Sequence, residues 1–272
     1  MTIFLQRTTR FQAGVGGRLN PARSRALRGG HTYTCSVTVS GRIDPATGIV
    51  VNIKDIDLLL KRHIVADFDG SILDADLPEF KDSLPTLENI TLAIWSRLVD
   101  RMPDSTRLED VLVAESPIHQ ASVSRKHRNI GAMLTTTRTY DFSASHRLNA
   151  TALTPEENQA LFGKCNWENG HGHNYEVEVT VAGDPDAKSG ELVPADTIDI
   201  IVDQEVLIPY DHKHLNYDTV DFKSLNPTSE NVTKVIWDKL APRINAIEPG
   251  RLRLHRVAVR ETPRNYFEYF GE

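Results

Sequence analysis

Cys165, His171 and His173 lie within nine residues of one another in FGKCNWENGHGHNYEVEV, residues 162–179 of a 272-residue chain that has only two cysteines. Gly170 and Gly172 flank His171 at the start of a Tyr- and Val-rich run that reads as a strand. Residues i and i+2 of a strand share a face, so the two imidazoles project side by side. His146, closing FSASHRL at the end of the preceding strand, offers a third. Three histidines leave the fourth tetrahedral position open for substrate or water, the arrangement of a catalytic rather than a structural zinc. Cys165 sits in GKCNWENG, a polar, loop-like stretch that does not suit a buried apolar thiol. Asp211 and His212 in YDHKHLN pair a carboxylate with an imidazole that it could orient. His214 in the same stretch reads as an exposed histidine without a role.

The elements that hold these groups occur twice. His31 falls on His173, Gly41 on Gly183, Asp44 on Asp186, Gly48 on Gly190, Asp57 on Asp199 and Asp69 on Asp211, each 142 residues further on. LPTLENITLAIWSRL, residues 84–98, matches NPTSENVTKVIWDKL, residues 226–240, and RTTRF at 7–11 resembles RTYDF at 138–142. The chain is a tandem duplication. Its join falls in the polar, basic QASVSRKHRNIGAM, near 124–129, so residues 1–122 form one domain, 123–132 a linker and 133–272 a second domain.

Within each copy, MLTTTRTYDFSASH and NYEVEVTVAG alternate as strands, and DPDAKSGELV, residues 184–193, carries turn residues that join two antiparallel strands as a meander. ADTIDIIVDQEVL places Ile198, Ile201, Val202 and Val206 on one helical face, and PTSENVTKVIWDKL does the same with Val232, Val235, Ile236 and Leu240. LHRVAVRET alternates again and supplies a fourth strand. The fold class is therefore α+β, a four-stranded antiparallel sheet with two helices on one face, repeated.

Composition narrows the partners. A formal charge of -6 argues against non-specific nucleic-acid binding, and no window is long and apolar enough for a signal h-region or a membrane-spanning helix. Two distant cysteines make no disulfide framework, which suits a reducing cytoplasm. Cys35 aligns with Val177 inside a strand and reads as inert.

C-x5-H-G-H-x-Y, the upstream F-S-A-S-H, the D-H pair, P-T-S-E-N and the final E-T-P together resemble the 6-pyruvoyl-tetrahydropterin synthase family, which includes the 6-carboxytetrahydropterin synthases. The resemblance covers nearly all of residues 133–270. It implies a T-fold in each copy and a β-barrel closed by several copies. It implies zinc on His146, His171 and His173, a proton-transfer thiolate at Cys165 and a relay at Asp211 and His212. Glu261 would anchor a pterin ring, with Thr228, Ser229 and Glu230 lining the same pocket. The implied reaction is elimination of triphosphate from 7,8-dihydroneopterin triphosphate. The C-x5-HGH spacing is that of 6-pyruvoyl-forming members. A 6-carboxy-5,6,7,8-tetrahydropterin synthase of queuosine or deazapurine synthesis, or a non-enzymatic pterin-binding protein, are the alternatives.

The first copy keeps His31 but has Gly29 for His171, no histidine for His146, and Gly70 for His212. It reads as a degenerate T-fold that cannot hold a catalytic zinc, although Asp69, Glu88 and Glu115 persist. The resemblance also implies a homo-oligomer. A homotrimer with the two kinds of copy segregated into separate barrels is favoured, and a dimer closing one barrel of four T-folds is the alternative.

Overall fold

The computed structural model describes residues 2–16, 30–125 and 132–272. These form two compact units, residues 1–136 with 182–192 and residues 137–181 with 193–272.

The first unit opens with β1 (Thr2–Gly14) and β2 (His31–Arg42), paired antiparallel with Thr9 opposite Cys35. After α1 (Ile53–Leu60), α2 (Leu87–Leu98) leads into β3 (Thr106–Ser116) and β4 (His119–Arg125). The sheet runs β4-β3-β2-β1. Alternation along β2 buries Tyr33, Cys35, Val37 and Val39 beneath the helices, whose Ile56, Leu60, Ile90, Ile94 and Leu98 complete the core. Cys35 is fully buried there, and burial pushes its thiol up to about 12, which agrees with the inert reading. The polar stretch read as a linker is, up to Arg125, strand β4, while residues 126–131 lie outside the described residues.

The second unit repeats this plan. β5 (Ala132–His146), whose first residues 132–136 pack in the first unit, is followed by α3 (Pro155–Phe162) and β6 (His171–Gly183). Then come α4 (Ala195–Val202), α5 (Ser229–Asn245), β7 (Leu252–Thr262) and β8 (Asn265–Tyr269). The strand order is β8-β7-β6-β5, and a two-residue strand, Lys213–His214, runs parallel to Ala144–Ser145. Ile198, Ile201, Val202, Val206, Val232, Ile236 and Leu240 are buried and Val235 partly so, the helical faces that the periodicity predicts. Helix α1 and its counterpart α4 each continue through one π turn, Lys61–Val65 and Asp203–Leu207.

Two expectations change. The turn at 184–193 does not join two strands of a meander, because helix α4 follows it directly with Pro194 as its N-cap. Proline has no N–H for a ladder, and its fixed φ suits a helix start. The fourth long strand is instead β8, returning from β7. Helix α3 went unread, although Thr154 and Glu157 form a reciprocal capping box around Pro155.

Candidate metal centre and active site

The site grows out of the second core. On β5 the buried face runs Phe142, Ala144, His146, and on β6 it runs Val177, Tyr175, His173, His171. On β7 the same face carries Val257, Val259 and then Glu261. At one end of the sheet, each row of apolar side chains thus gives way to a ligating group. The first of these lies deep, since His146 is 1% exposed.

One nitrogen from each of His146, His171 and His173 lies within 4.8 Å of the others. The ring of His146 is fixed by the carbonyl of Pro227, 2.7 Å from Nδ1. A carbonyl only accepts, so Nδ1 carries the proton and Nε2 keeps its lone pair, facing His171 Nε2 at 3.2 Å. The Tyr175 hydroxyl stands 3.3 Å from the same Nδ1. Burial, reinforced by the neighbouring imidazoles, pushes His146 down to about 4 and lowers His171 as well, so both are neutral near pH 7. His171 Nδ1 and His173 Nε2 are buried and make no hydrogen bond among the described residues. Neutral, convergent imidazoles with such orphaned nitrogens suit a borderline-soft divalent cation.

Glu261 Oε1 lies 3.7 Å from His146 Nε2 and 3.8 Å from His173 Nε2. Ser229 Oγ donates to Oε1 at 2.7 Å and Asn265 Nδ2 to Oε2 at 3.0 Å. Burial works to raise its pKa, but these donors and the two imidazoles outweigh it and hold the carboxyl below its usual range. Glu261 is therefore an ionised acceptor in a sheltered place. The fixing carbonyl of Pro227, Tyr175 and Asn265 were not among the sequence candidates. Asn265 follows Glu261 by four residues across the β7–β8 turn, where it faces Thr262, and hairpin register was the signal available.

Thr228 is the N-cap of α5, accepting from Asn231 N at 3.4 Å, and Glu230 is exposed one residue beyond Ser229. Asp211 Oδ1 accepts Ser143 N at 2.9 Å, and its Oδ2 lies 2.8 Å from His212 Nδ1. The Ser143 N–H, followed by the His212 contacts, lowers the Asp211 pKa. His212 is the one non-glycine residue with positive φ among the described residues, at 56°, and its side chain is 82% exposed. It lines a groove of about 570 Å³ that His173, Ser143, Asn174 and Lys213 also line. Cys165 lies in a short 3-10 turn, Gly163–Asn166, and its carbonyl accepts Leu148 N at 2.8 Å, tying the loop to the chain just past His146. Among the described residues no hydrogen bond links the Cys165 thiol to Asp211, His212 or the histidines. The structure thus gathers His146, His171, His173, Ser229 and Glu261, and leaves Cys165 and the Asp211–His212 pair outside that cluster. His214, read as exposed, is half-buried, its ring centroid 4.3 Å from that of Tyr217.

The corresponding place in the first unit holds Glu115 between two imidazoles, His31 and His119, each with Nδ1 3.5 Å from a carboxylate oxygen. Among the described residues the His146, His171 and His173 group is the one cluster that could hold a metal ion.

Comparison with known proteins bears on both repeats. The sequence profile described as 6-pyruvoyl tetrahydropterin synthase matches residues 5–126 and again 135–272. A human 6-pyruvoyl tetrahydrobiopterin synthase is 42% identical over 135 residues, 50% of this chain and 90% of that protein. A Bacillus subtilis 6-carboxy-5,6,7,8-tetrahydropterin synthase is 33% identical over 134 residues, 48% of this chain and 84% of that protein. The solved structure of Caenorhabditis elegans 6-pyruvoyl tetrahydropterin synthase aligns with a TM-score of 0.47 and 37% identity over 52% of this chain and 96% of its own. With two successive matches that together span nearly its whole length, the chain belongs to the 6-pyruvoyl tetrahydropterin synthase family of lyases, as a tandem duplication.

Proposed function

We propose that the second repeat is a zinc-dependent pterin synthase that eliminates triphosphate from 7,8-dihydroneopterin triphosphate and yields 6-pyruvoyl-tetrahydropterin. The observation that carries this reading is the convergence of three imidazoles beside an ionised, hydrogen-bonded Glu261. His146, His171 and His173 would hold the zinc, which when bound supplies Lewis acidity toward the side-chain oxygens of the substrate. Pro227 fixes the His146 tautomer, so no reorganisation is needed for its Nε2 to ligate. Glu261 accepts two parallel N–H bonds from the aminopyrimidinone ring, and Ser229 and Asn265 keep its carboxylate aimed. Thr228 and Glu230 line the same pocket. The thiolate of Cys165 moves the proton between carbon and oxygen, and the Asp211–His212 pair, held at 2.8 Å, relays it.

Each repeat is a T-fold, and the working protein is a cytoplasmic homo-oligomer whose copies close a β-barrel. The first repeat supplies structure rather than a second metal centre. Formation of the 6-carboxy product, as the name of the Bacillus subtilis relative describes, is the alternative reading of the same site. Incubating the zinc-loaded protein with dihydroneopterin triphosphate and identifying products by mass decides between them. Release of triphosphate with a 6-pyruvoyl product is expected. A 6-carboxy product would shift the assignment, and substrate binding without turnover would leave a pterin-binding protein.

A further inference from the structure

The segment that starts at Asp211 is fastened to β5 residue by residue. Asp211 Oδ1 accepts Ser143 N, His212 N donates to Ser143 O at 2.6 Å, and Lys213–His214 then runs parallel to Ala144–Ser145. The groove of about 570 Å³ opens beside it, and His173 belongs both to its wall and to the histidine cluster. A substrate group lying in the groove is therefore next to whatever His173 ligates.

The groove carries donors that no protein group occupies. The Lys213 ammonium makes no ion pair among the described residues. Ser143 Oγ donates to Asn174 Oδ1 at 2.8 Å, which fills the acceptor end of that amide and leaves Nδ2 without a partner among the described residues. Both ring nitrogens of His214 are buried without a hydrogen-bond partner among the described residues, and one of them carries a proton in either neutral tautomer. A buried N–H left unpaired is costly, so its partner is to be sought in a ligand. Among the described residues that line the groove Asp218 alone is acidic, and its Oδ2 already accepts His214 N at 2.8 Å. An ammonium, an amide N–H and an imidazole N–H around one engaged carboxylate suit an anion with several oxygens.

The first repeat has the same backbone without these donors. Asp69 accepts Gln12 N at 2.7 Å, Gly70 N donates to Gln12 O at 2.7 Å, and Ser71–Ile72 runs parallel to Ala13–Gly14. That register equates Lys213 with Ser71 and His214 with Ile72, and the repeat spacing equates Asn174 with Thr32. The Ser71 hydroxyl is turned back on Phe68 O at 2.8 Å. The scaffold is thus complete without an ammonium or an imidazole at these two positions, and it carries them beside the histidine cluster only.

We infer that this groove is the polyphosphate subsite of the candidate active site, with Lys213, Asn174 Nδ2 and the His214 N–H on the phosphate oxygens. The inference rests on the pterin triphosphate reading given above, and adds to it the residues that tell the triphosphate ester from the free alcohol. Glu261 Oε1 lies 3.8 Å from His173 Nε2 and His173 lines the groove, so ring anchor, histidine cluster and groove follow one another as ring, hydroxylated side chain and phosphates do along the substrate. Lys213 supplies most of the discrimination, because a charged donor to a phosphate outweighs neutral ones.

The test compares neopterin with neopterin triphosphate, oxidised pterins whose fluorescence reports binding, on the zinc-loaded full chain at matched zinc content. The wild type should bind the triphosphate at least about tenfold more tightly than neopterin, and the preference should shrink as salt rises. Lys213→Gln should lose about tenfold in affinity for the triphosphate and keep the wild-type affinity for neopterin, which also reports an intact fold, while Lys213→Arg should retain the preference. Equal wild-type affinities for the two pterins, a preference that survives Lys213→Gln, or loss of neopterin binding in that variant would each overturn the inference and leave the pterin reading standing. A wild type that binds neither pterin would overturn that reading, and the inference with it.

Discussion

The two repeats share a scaffold and differ in what the scaffold presents. Phe11 stacks on Tyr33 at 5.1 Å and 22°, and Phe142 on Tyr175 at 5.0 Å and 17°. Arg7 grips Asp57 through two nitrogens, and Arg138 grips Asp199 in the same bidentate way. Asp69 accepts Gln12 N at 2.7 Å, as Asp211 accepts Ser143 N at 2.9 Å. Residues kept in both copies thus do structural work, and the presence of Asp211 alone says nothing about catalysis. The residue after it is more telling. The first repeat has Gly70 at φ 77°, a conformation that glycine adopts freely, whereas the second forces His212 into it at 56°. Strain at this one residue, accepted in one copy and absent from the other, sets His212 apart from its counterpart in the first repeat.

The sharpest way to break this comparison is to remove groups present in the second repeat alone. Cys165→Ala should leave the metal content unchanged and lower kcat about 10²- to 10⁴-fold, because it deletes proton transfer without deleting a ligand. Loss of metal in that variant, read by elemental analysis, would make Cys165 a ligand instead. Glu261→Gln keeps the shape but loses the charge that Ser229 and Asn265 support, and kcat/KM should fall roughly 10- to 100-fold. The matched Glu115→Gln in the first repeat should leave kcat/KM at the wild-type value.

Acid separates the units next. His146 has a folded pKa depressed from 6.5 to about 4, so the unfolded chain binds its proton first. Its effect on stability is absent above pH 6.5 and grows as pH falls toward 4, reaching roughly 3 kcal/mol against the fold. Metal-free protein should therefore lose the second unit before the first on titration across that window. Hydrogen exchange followed in each unit checks the order, and simultaneous loss would count against it. The smallest effect belongs to His212→Gly, which restores the residue of the first repeat. Relief of the left-handed strain should stabilise the fold by up to about 1 kcal/mol in denaturant titration while turnover falls. Turnover that survives the change would remove His212 from the mechanism.

Much of this was legible in the chain. Alternation put His171 and His173 on one face, His146 was available at the end of the preceding strand, and helical periodicity picked the faces that pack. What stayed hidden depends on contacts that no local pattern encodes. The tautomer of His146 is set by Pro227, 81 residues away, and Glu261 is aimed by Asn265 across a turn whose register was not read. The segment 184–193 has the composition of a hairpin turn, but its role is decided by Pro194, which starts a helix, and by the surface that Gly190 and Leu192 meet. Strand β4 is polar because it alternates over only seven residues, His119–Arg125, and so it read as a linker.

The claim that one repeat carries the chemistry and the other only its scaffold is tested most directly by counting metal. Zinc-reconstituted, desalted protein measured by elemental analysis should hold one equivalent per chain. His31→Ala should leave that value unchanged, and His171→Ala with His173→Ala should abolish it. Two equivalents per chain, or one that survives loss of both His171 and His173, would contradict the account.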